Sequence, residues 1–346
     1  MIIKEYGSDF HYNADSEWYL KDASNSLMNN NDFSLFFSGR SALANLLDQG
    51  IKESGWKQVF IPSYYCHEVV HFIERLPIKI NYYDYNPLLD SPTKQLDIQD
   101  VESNVIINVS FFGLKGLDLS FLKVIIVDDL THDILGYENS NASYCFGSLR
   151  KELPVPVGGF CYSPKGYNLP NASHNLAAEE VAIQKLSAML LKKQYLEGTF
   201  ADKDLFRSLF IESENAFELK FTNSSIPEVA KSILFQLDIN KILEAKKNNV
   251  KTALELLKDI ADVKFNNGNS DCSFGLLVEC NSKQQRDALK LFLISRKIFP
   301  AILWPNQLLA RDKAIEDQLL FLHMDYRYTI NDIEIITKAI KDQFKI

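Results

Sequence analysis

The sequence predicts an α/β protein: a large unit built on a mostly parallel sheet between helices, then a smaller α+β unit. Two near-continuous apolar runs, VIINVSFF (105–112) and VIIVDD (124–129), have the composition of strands buried on both faces of a parallel sheet. QVFIP (58–62) and KINYYDY (79–85) flank the helix-like HEVVHFIERL, which makes a βαβ unit. Past residue 240, SFGLLVEC, QQRDALKLFLISR and IFPAILW read as strand, helix and strand of a second, smaller layer.

In chain order, SGRSALANLL opens as a glycine turn leading into a helix within 34–50. The βαβ unit and the two buried strands follow, with helices expected on both faces. SYCFGSLRKELPVPVGGFCYS (143–163) alternates short strand candidates with Pro and Gly, so loops and turns at the sheet's edge are expected. Apolar spacing near 3.6 predicts long helices over 177–197 and 226–258, and a closing helix over about 331–341. The domain boundary is expected near 240: a large domain over 1–240 that includes an N-terminal arm, and a small one over 241–346.

A chain of 346 residues can bury a sizeable core, and 46% hydrophobic with 24% charged residues excludes disordered and fibrous classes. The net charge of −8 comes without a basic tract, so nucleic acid is not an expected partner. Five cysteines with no CxxC spacing suggest neither a disulfide framework nor a metal site, and point to a reducing, cytoplasmic setting. No apolar run approaches the ~20 residues of a membrane helix, and MIIKEYGSDF lacks the basic start and apolar run of a signal peptide.

In an open α/β sheet, ligands bind beyond the carboxyl ends of the strands. Three groups fall there: the SGRSAL helix start, whose amides and dipole suit a phosphate; Asp129 at the end of VIIVDD; and Lys151 after the next short strands. Each alone has a plain structural reading, as helix cap, turn residue and surface lysine. Together, in that order, they are what pyridoxal phosphate (PLP) requires. A lysine forms the imine and shuttles the proton, and a carboxylate keeps the pyridine nitrogen protonated so that the ring withdraws electrons. No GxGxxG follows a strand, so a nicotinamide site lacks its glycines.

These segments resemble the DegT/StrS-type sugar aminotransferases, PLP enzymes of fold type I in the aspartate-aminotransferase superfamily. SGRSAL resembles the family's SGTSAL, IPSYY its VPSFT, NVSFFG its VHLYG, and VDDLTH its IEDAAQ or IEDAAH. KELPVPVGG places Gly158 and Gly159 at the family's spacing from the PLP lysine, Lys151. The resemblance implies a seven-stranded, mostly parallel sheet with a small C-terminal domain. It makes Lys151 the Schiff-base residue and Asp129 the partner of the pyridine nitrogen. His132 becomes the contact of the ring hydroxyl, with Gly39, Arg40 and Ser41 as the phosphate turn. TNSSIPE resembles NYRMSE, so Asn223 would reach the phosphate of the neighbouring subunit of a homodimer with shared sites.

The departures are specific. Phe146 replaces a serine five before the lysine, so Ser148 either substitutes as a phosphate donor or is a turn hydroxyl satisfied by its own backbone. Cys66 aligns with the stacking aromatic, and Tyr65 is the chosen replacement, with Tyr64 and His67 as alternatives. Arg40 replaces a small residue and either meets an anionic substrate group or caps the helix. The Asp129 to Lys151 interval is short. Asp325 and Arg327 are read as a surface ion pair before a helix, with substrate contact as the alternative. The function expected is transfer of an amino group from a donor such as glutamate to a nucleotide-linked keto sugar, in polysaccharide or cell-surface glycan biosynthesis. A sugar dehydratase would have histidine for Lys151, and an inactive scaffold is the remaining alternative.

Overall fold

The computed structural model describes every residue except 1–3, 8, 14, 30–31, 90–97, 99–100, 115, 218–220, 267–268, 270 and 345–346. Its strands are β1 (Tyr6–Gly7), β2 (Phe33–Phe36), β3 (Gln58–Pro62), β4 (Lys79–Tyr83), β5 (Asn104–Val109), β6 (Ile125–Asp129), β7 (Tyr144–Ser148), β8 (Gly159–Tyr162), β9 (Lys264–Phe265), β10 (Leu276–Glu279), β11 (Ile298–Phe299) and β12 (Leu319–Leu322). Its helices are α1 (Gly39–Ser54), α2 (His67–Ile73), α3 (Leu176–Glu197), α4 (Lys203–Ala216), α5 (Glu228–Gln236), α6 (Ile239–Leu257), α7 (Lys283–Ser295), α8 (Ala310–Glu316) and α9 (Ile330–Phe344).

A seven-stranded sheet in the order β2-β8-β7-β6-β5-β3-β4 forms the centre. From β4 through β7 the pairings are parallel, whereas β8 runs antiparallel to both β7 and β2. Val105, Ile107 and Val127 are completely buried, which is why these strands read as unbroken apolar runs. The 143–163 segment, expected as edge loops, instead supplies β7 and β8 inside the sheet. Its glycines serve close backbone approach as well as turns. A Cβ on Gly159 would lie 2.2 Å from the Ser38 carbonyl carbon, so only glycine lets β8 pass the start of α1.

Among the described residues two crossovers carry no α-helix. Among the described residues, the links from β5 to β6 and from β6 to β7 hold only single 3₁₀ turns, Phe111–Gly113 and Gly136–Asn139. A groove of about 1700 Å³ runs there, reaching from Asn108 and Asp128 to Lys247 on α6.

The predicted 226–258 helix is two. Leu237 is extended, Asp238 caps α6 by accepting from the Lys241 amide, and residues 18–20 of the N-terminal segment bond to the break through Leu20 N to Gln236 O and Asp238 N to Trp18 O. Helix α4 was not foreseen. The Asp202 side chain caps it, and Phe206 and Phe210 pack on Ala188 and Met189 of α3. β9, β10 and β12 form an antiparallel sheet whose core includes Val250, Leu289, Ile333 and Ile340. The N-terminal arm joins this unit, since β1 pairs in parallel with β11. Asp325 and Arg327 are a buried pair, not a surface one, and Arg327 Nη1 donates to the His11 carbonyl at 3.0 Å, pinning the arm. No helix among the described residues is long and apolar enough to cross a membrane.

Candidate active site

Asp129 ends β6, in register with Val109 of β5 and Phe146 of β7, at the carboxyl edge of the sheet. It is buried, accepting from Tyr65 Oη at 2.6 Å and from the Thr131 amide at 3.0 Å. Burial raises its pKa, and the Thr131 and Tyr65 hydrogen bonds pull in the opposite direction without cancelling it. The Tyr65 hydroxyl is committed to Asp129, and its ring lies edge-on to Trp304 at 5.6 Å.

His132, also buried, accepts the Phe112 amide at Nδ1 at 3.2 Å, for which Phe112 takes a left-handed φ of 56°. Burial first, then the charges of Lys151, His323 and Lys246, hold its pKa well below the ordinary value. A neutral ring accepting at Nδ1 carries its proton on Nε2, which is left as a donor. Phe274 stacks on the imidazole at 3.9 Å and Trp304 lies nearly parallel to it at 5.3 Å. Trp304 comes from the loop after β11 and also meets Tyr64, Tyr65, Phe111 and Phe112. Gln307 fixes that loop by donating to the carbonyls of Tyr65 and Trp304, each at 2.9 Å.

Lys151 follows β7 by one 3₁₀ turn, Leu149–Lys151. It is half-buried, and among the described residues its amine has neither a hydrogen bond nor an ion pair. The Arg150 guanidinium, and then burial, lower its pKa below the ordinary lysine value. Lys151 opens on a cavity of about 280 Å³ whose lining includes Arg150, Lys185 and His323 but not Asp129 or His132; His132 lines the larger groove instead. The next residue, Glu152, is fully buried and paired with Lys246 of α6 at 2.9 Å. It also accepts from the Ile134 amide and Ser273 Oγ, so the lysine's turn is tied to both units.

The SGRSA turn starts α1 as expected. The Ser38 side chain accepts the Ser41 amide at 3.1 Å, and Ser41 Oγ donates to the Phe221 carbonyl at 2.9 Å. Ser41 is thus committed within the chain, leaving the earlier first-turn amides of Gly39 and Arg40 closest to the helix's open end. A Cβ on Gly39 would sit 3.1 Å from the Ser148 Cβ, so Ser148 and this turn are brought together. The Arg40 side chain pairs with Glu68 at 3.2 Å and lies over Phe72 and Phe217. Asn223 is exposed on a turn, with no hydrogen bond to Lys151 or Asp129. Sequence reasoning missed Trp304, Lys185 and the Glu152–Lys246 pair, which no local pattern signals. Arg150 carried one clue, its adjacency to Lys151.

No protein-family model matches the chain, and no curated protein matches it. Solved structures do. A DegT DnrJ EryC1 StrS aminotransferase from Brucella abortus superposes with a TM-score of 0.55 at 16% identity, over 90% of this chain and 85% of that one. Helicobacter pylori PseC, an aminotransferase involved in the biosynthesis of pseudoaminic acid, superposes with a TM-score of 0.63 at 12% identity, over 99% of this chain and 100% of that one. NtdA from Bacillus subtilis, solved with bound cofactor PMP, superposes with a TM-score of 0.64 at 12% identity, over 98% and 79%. At such identities the likeness speaks for architecture: the chain has the fold of the DegT/StrS aminotransferases, fold type I, carried by a strongly diverged sequence.

Proposed function

We propose that the protein is a PLP-dependent aminotransferase that moves an amino group from an amino acid such as glutamate to a keto sugar. The observation that carries this reading is Lys151. Its unpartnered amine, with a lowered pKa, sits at the carboxyl edge beside the strand that ends in Asp129, next to a helix start packed on Ser148.

The residue types are those the cofactor would need, while the cavity at Lys151 does not extend to Asp129 or His132. Asp129 accepts from Tyr65 and from the amide and side chain of Thr131, and a carboxylate has about four acceptor sites, so it retains capacity for a pyridinium proton. His132 Nε2–H is a donor for a ring hydroxyl, Trp304 supplies an aromatic wall, and the first-turn amides of α1 with Ser148 suit a phosphate. When bound, pyridoxal phosphate supplies an electron-withdrawing ring that stabilises negative charge on the donor's Cα.

The protein groups divide the remaining work. Lys151, with a lowered pKa, is available as a free amine to take a proton from Cα and return it elsewhere. Asp129, whose ionised form the Tyr65 and Thr131 hydrogen bonds favour against its burial, would balance positive charge on the ring nitrogen. The aromatic cluster around Trp304 excludes water from that end of the site. The sugar acceptor, its nucleotide carrier and a role in glycan biosynthesis are proposed by analogy with the named sugar aminotransferases, as is a homodimer in which exposed Asn223 completes the partner's site. Five free cysteines are in keeping with a reducing compartment.

The test is spectroscopic. The purified chain incubated with pyridoxal phosphate turns yellow, borohydride fixes the cofactor on Lys151, and glutamate bleaches the colour. Lys151→Ala abolishes trapping and turnover. A wild-type chain that stays colourless with saturating cofactor refutes the reading.

A further inference from the structure

One segment of the C-terminal unit touches both halves of the site. Phe299, Pro300 and Ala301 line the cavity at Lys151, and Trp304, just after them, lies nearly parallel to the His132 ring at 5.3 Å. The segment is tied at both ends. Ala301 and Phe321 exchange amide hydrogen bonds at 2.8 and 2.9 Å, and beyond the indole Gln307 donates through its side chain to the Tyr65 and Trp304 carbonyls and through its own amide to Glu316 at 2.9 Å. Between these ties residues 302–306 form no helix or strand, and the Tyr64 hydroxyl holds them by donating to the Leu303 carbonyl at 3.1 Å.

The backbone of this stretch is strained. Trp304 has a φ of 53° and Asn306 a φ of 68°, on either side of Pro305. Asparagine tolerates the left-handed region, but a bulky tryptophan there is an outlier, and such residues persist only where their surroundings over-determine them. Here the packing is on one side. The indole meets Tyr64, Tyr65, Phe111 and Phe112, whereas Pro305, Asn306, Leu308 and Leu309 are exposed, Leu308 at 79%. Phe274, the other ring stacked on His132, is a fixture by contrast: it is buried and stacks on Phe321 of β12 at 4.5 Å. The cavity at Lys151 stops short of Asp129 and His132. Trp304 covers that end of the site, parallel to His132 and edge-on to the Tyr65 ring whose hydroxyl holds Asp129, and it is the covering residue with a strained backbone and an open outer side.

We propose that Trp304 is a gate: residues 302–306 swing the indole away from Tyr65 and His132, which joins the Lys151 cavity to Asp129, and bring it back as a wall over the planar phosphorylated aromatic molecule admitted there. That this molecule is the cofactor rests on the aminotransferase reading; the opening itself does not.

Stopped-flow mixing of the purified full chain with 4′-deoxypyridoxine 5′-phosphate, a phosphorylated pyridine with no aldehyde to react with Lys151, tests it through the probe's own absorbance. The wild-type binding rate levels off as probe concentration rises, because opening becomes limiting. Trp304→Ala removes the plateau and binds about 10-fold faster or more at the highest concentration, and Trp304→Phe falls between. Gln307→Ala, which cuts the segment's ties and leaves the indole, raises the plateau roughly 3-fold. A wild-type rate that climbs in proportion to probe with the slope of Trp304→Ala overturns the proposal. So does an unchanged plateau in Gln307→Ala, which decides the matter even if Trp304→Ala does not fold, and so does a probe that binds neither the wild type nor Gln307→Ala. A chain that gates the probe yet never traps pyridoxal phosphate on Lys151 keeps the gate and loses the transaminase reading. One that traps the cofactor but takes up the probe without a plateau does the reverse.

Discussion

Tyr65 Oη donates to Asp129 Oδ2 at 2.6 Å, a hydrogen bond between two buried side chains 64 positions apart. It supports a carboxylate whose pKa burial has nevertheless raised, so ionised Asp129 costs the folded chain stability when no cofactor is bound. The sign follows from linkage. Below the ordinary value of 3.8 both states are protonated and there is no cost; the cost grows as pH rises above 3.8 and levels off once pH passes the folded-state pKa. Asp129→Asn is therefore expected to be more stable than wild type at neutral pH, with the advantage vanishing in acid, while turnover falls by roughly 100-fold or more. Urea denaturation of both cofactor-free proteins across pH, with turnover measured alongside, checks this; an asparagine variant less stable at neutral pH contradicts it.

Arg150 is the largest influence lowering the Lys151 pKa. Removing that charge raises the pKa, so the free amine appears only at higher pH. The rate at which cofactor absorbance develops should shift its pH profile upward in Arg150→Gln and stay near wild type in Arg150→Lys. Stopped-flow absorbance over a pH series distinguishes this from a structural defect, which lowers the rate at every pH.

Lys246 and Glu152 have side chains 1% and 0% exposed and join α6 to the residue after Lys151. Lys246→Met leaves a buried carboxylate unpaired and is expected to cost about 3–5 kcal/mol. Adding Glu152→Gln should recover most of that loss, because the amide oxygen still accepts from Ile134 without a charge to neutralise. Guanidinium denaturation of the two single variants and the double reads the coupling.

Gly159 and Gly166 make a matched pair. An added Cβ meets the Ser38 carbonyl carbon at 2.2 Å in the first and open space in the second, although Gly166 has a φ of +70°. Gly159→Ala is expected to cost about 3 kcal/mol or more and to displace the start of α1, weakening cofactor uptake. Gly166→Ala should cost about 1 kcal/mol and leave uptake unchanged. Thermal denaturation and cofactor titration of both variants give the comparison.

Much of this was readable from local pattern. β3 occupies the predicted 58–62, β6 lies within 124–129, and α3 begins one residue before the predicted 177. These elements bury on both faces or along one stripe, and burial writes period and apolar runs into the chain. The Ser38 cap of α1 was also legible, since capping is local. Misreadings fell where the determinants were distant. β7 and β8 looked like loops because their glycines answer to α1, and the 226–258 helix breaks at Leu237 because residues 18–20 bond there.

The sequence alone determined the order of the parallel strands' apolar runs, the helix start at Ser38, and the presence of an aspartate and a lysine after successive strands. Those features depend on residues a few positions apart. Only the tertiary structure decided what surrounds them: Tyr65 on Asp129, Trp304 over His132, and Arg150 and Lys185 sharing Glu214 beside Lys151. Each joins residues tens to more than a hundred positions apart, and a side chain's partner across such a distance is set by how the layers pack, which spacing along the chain does not record.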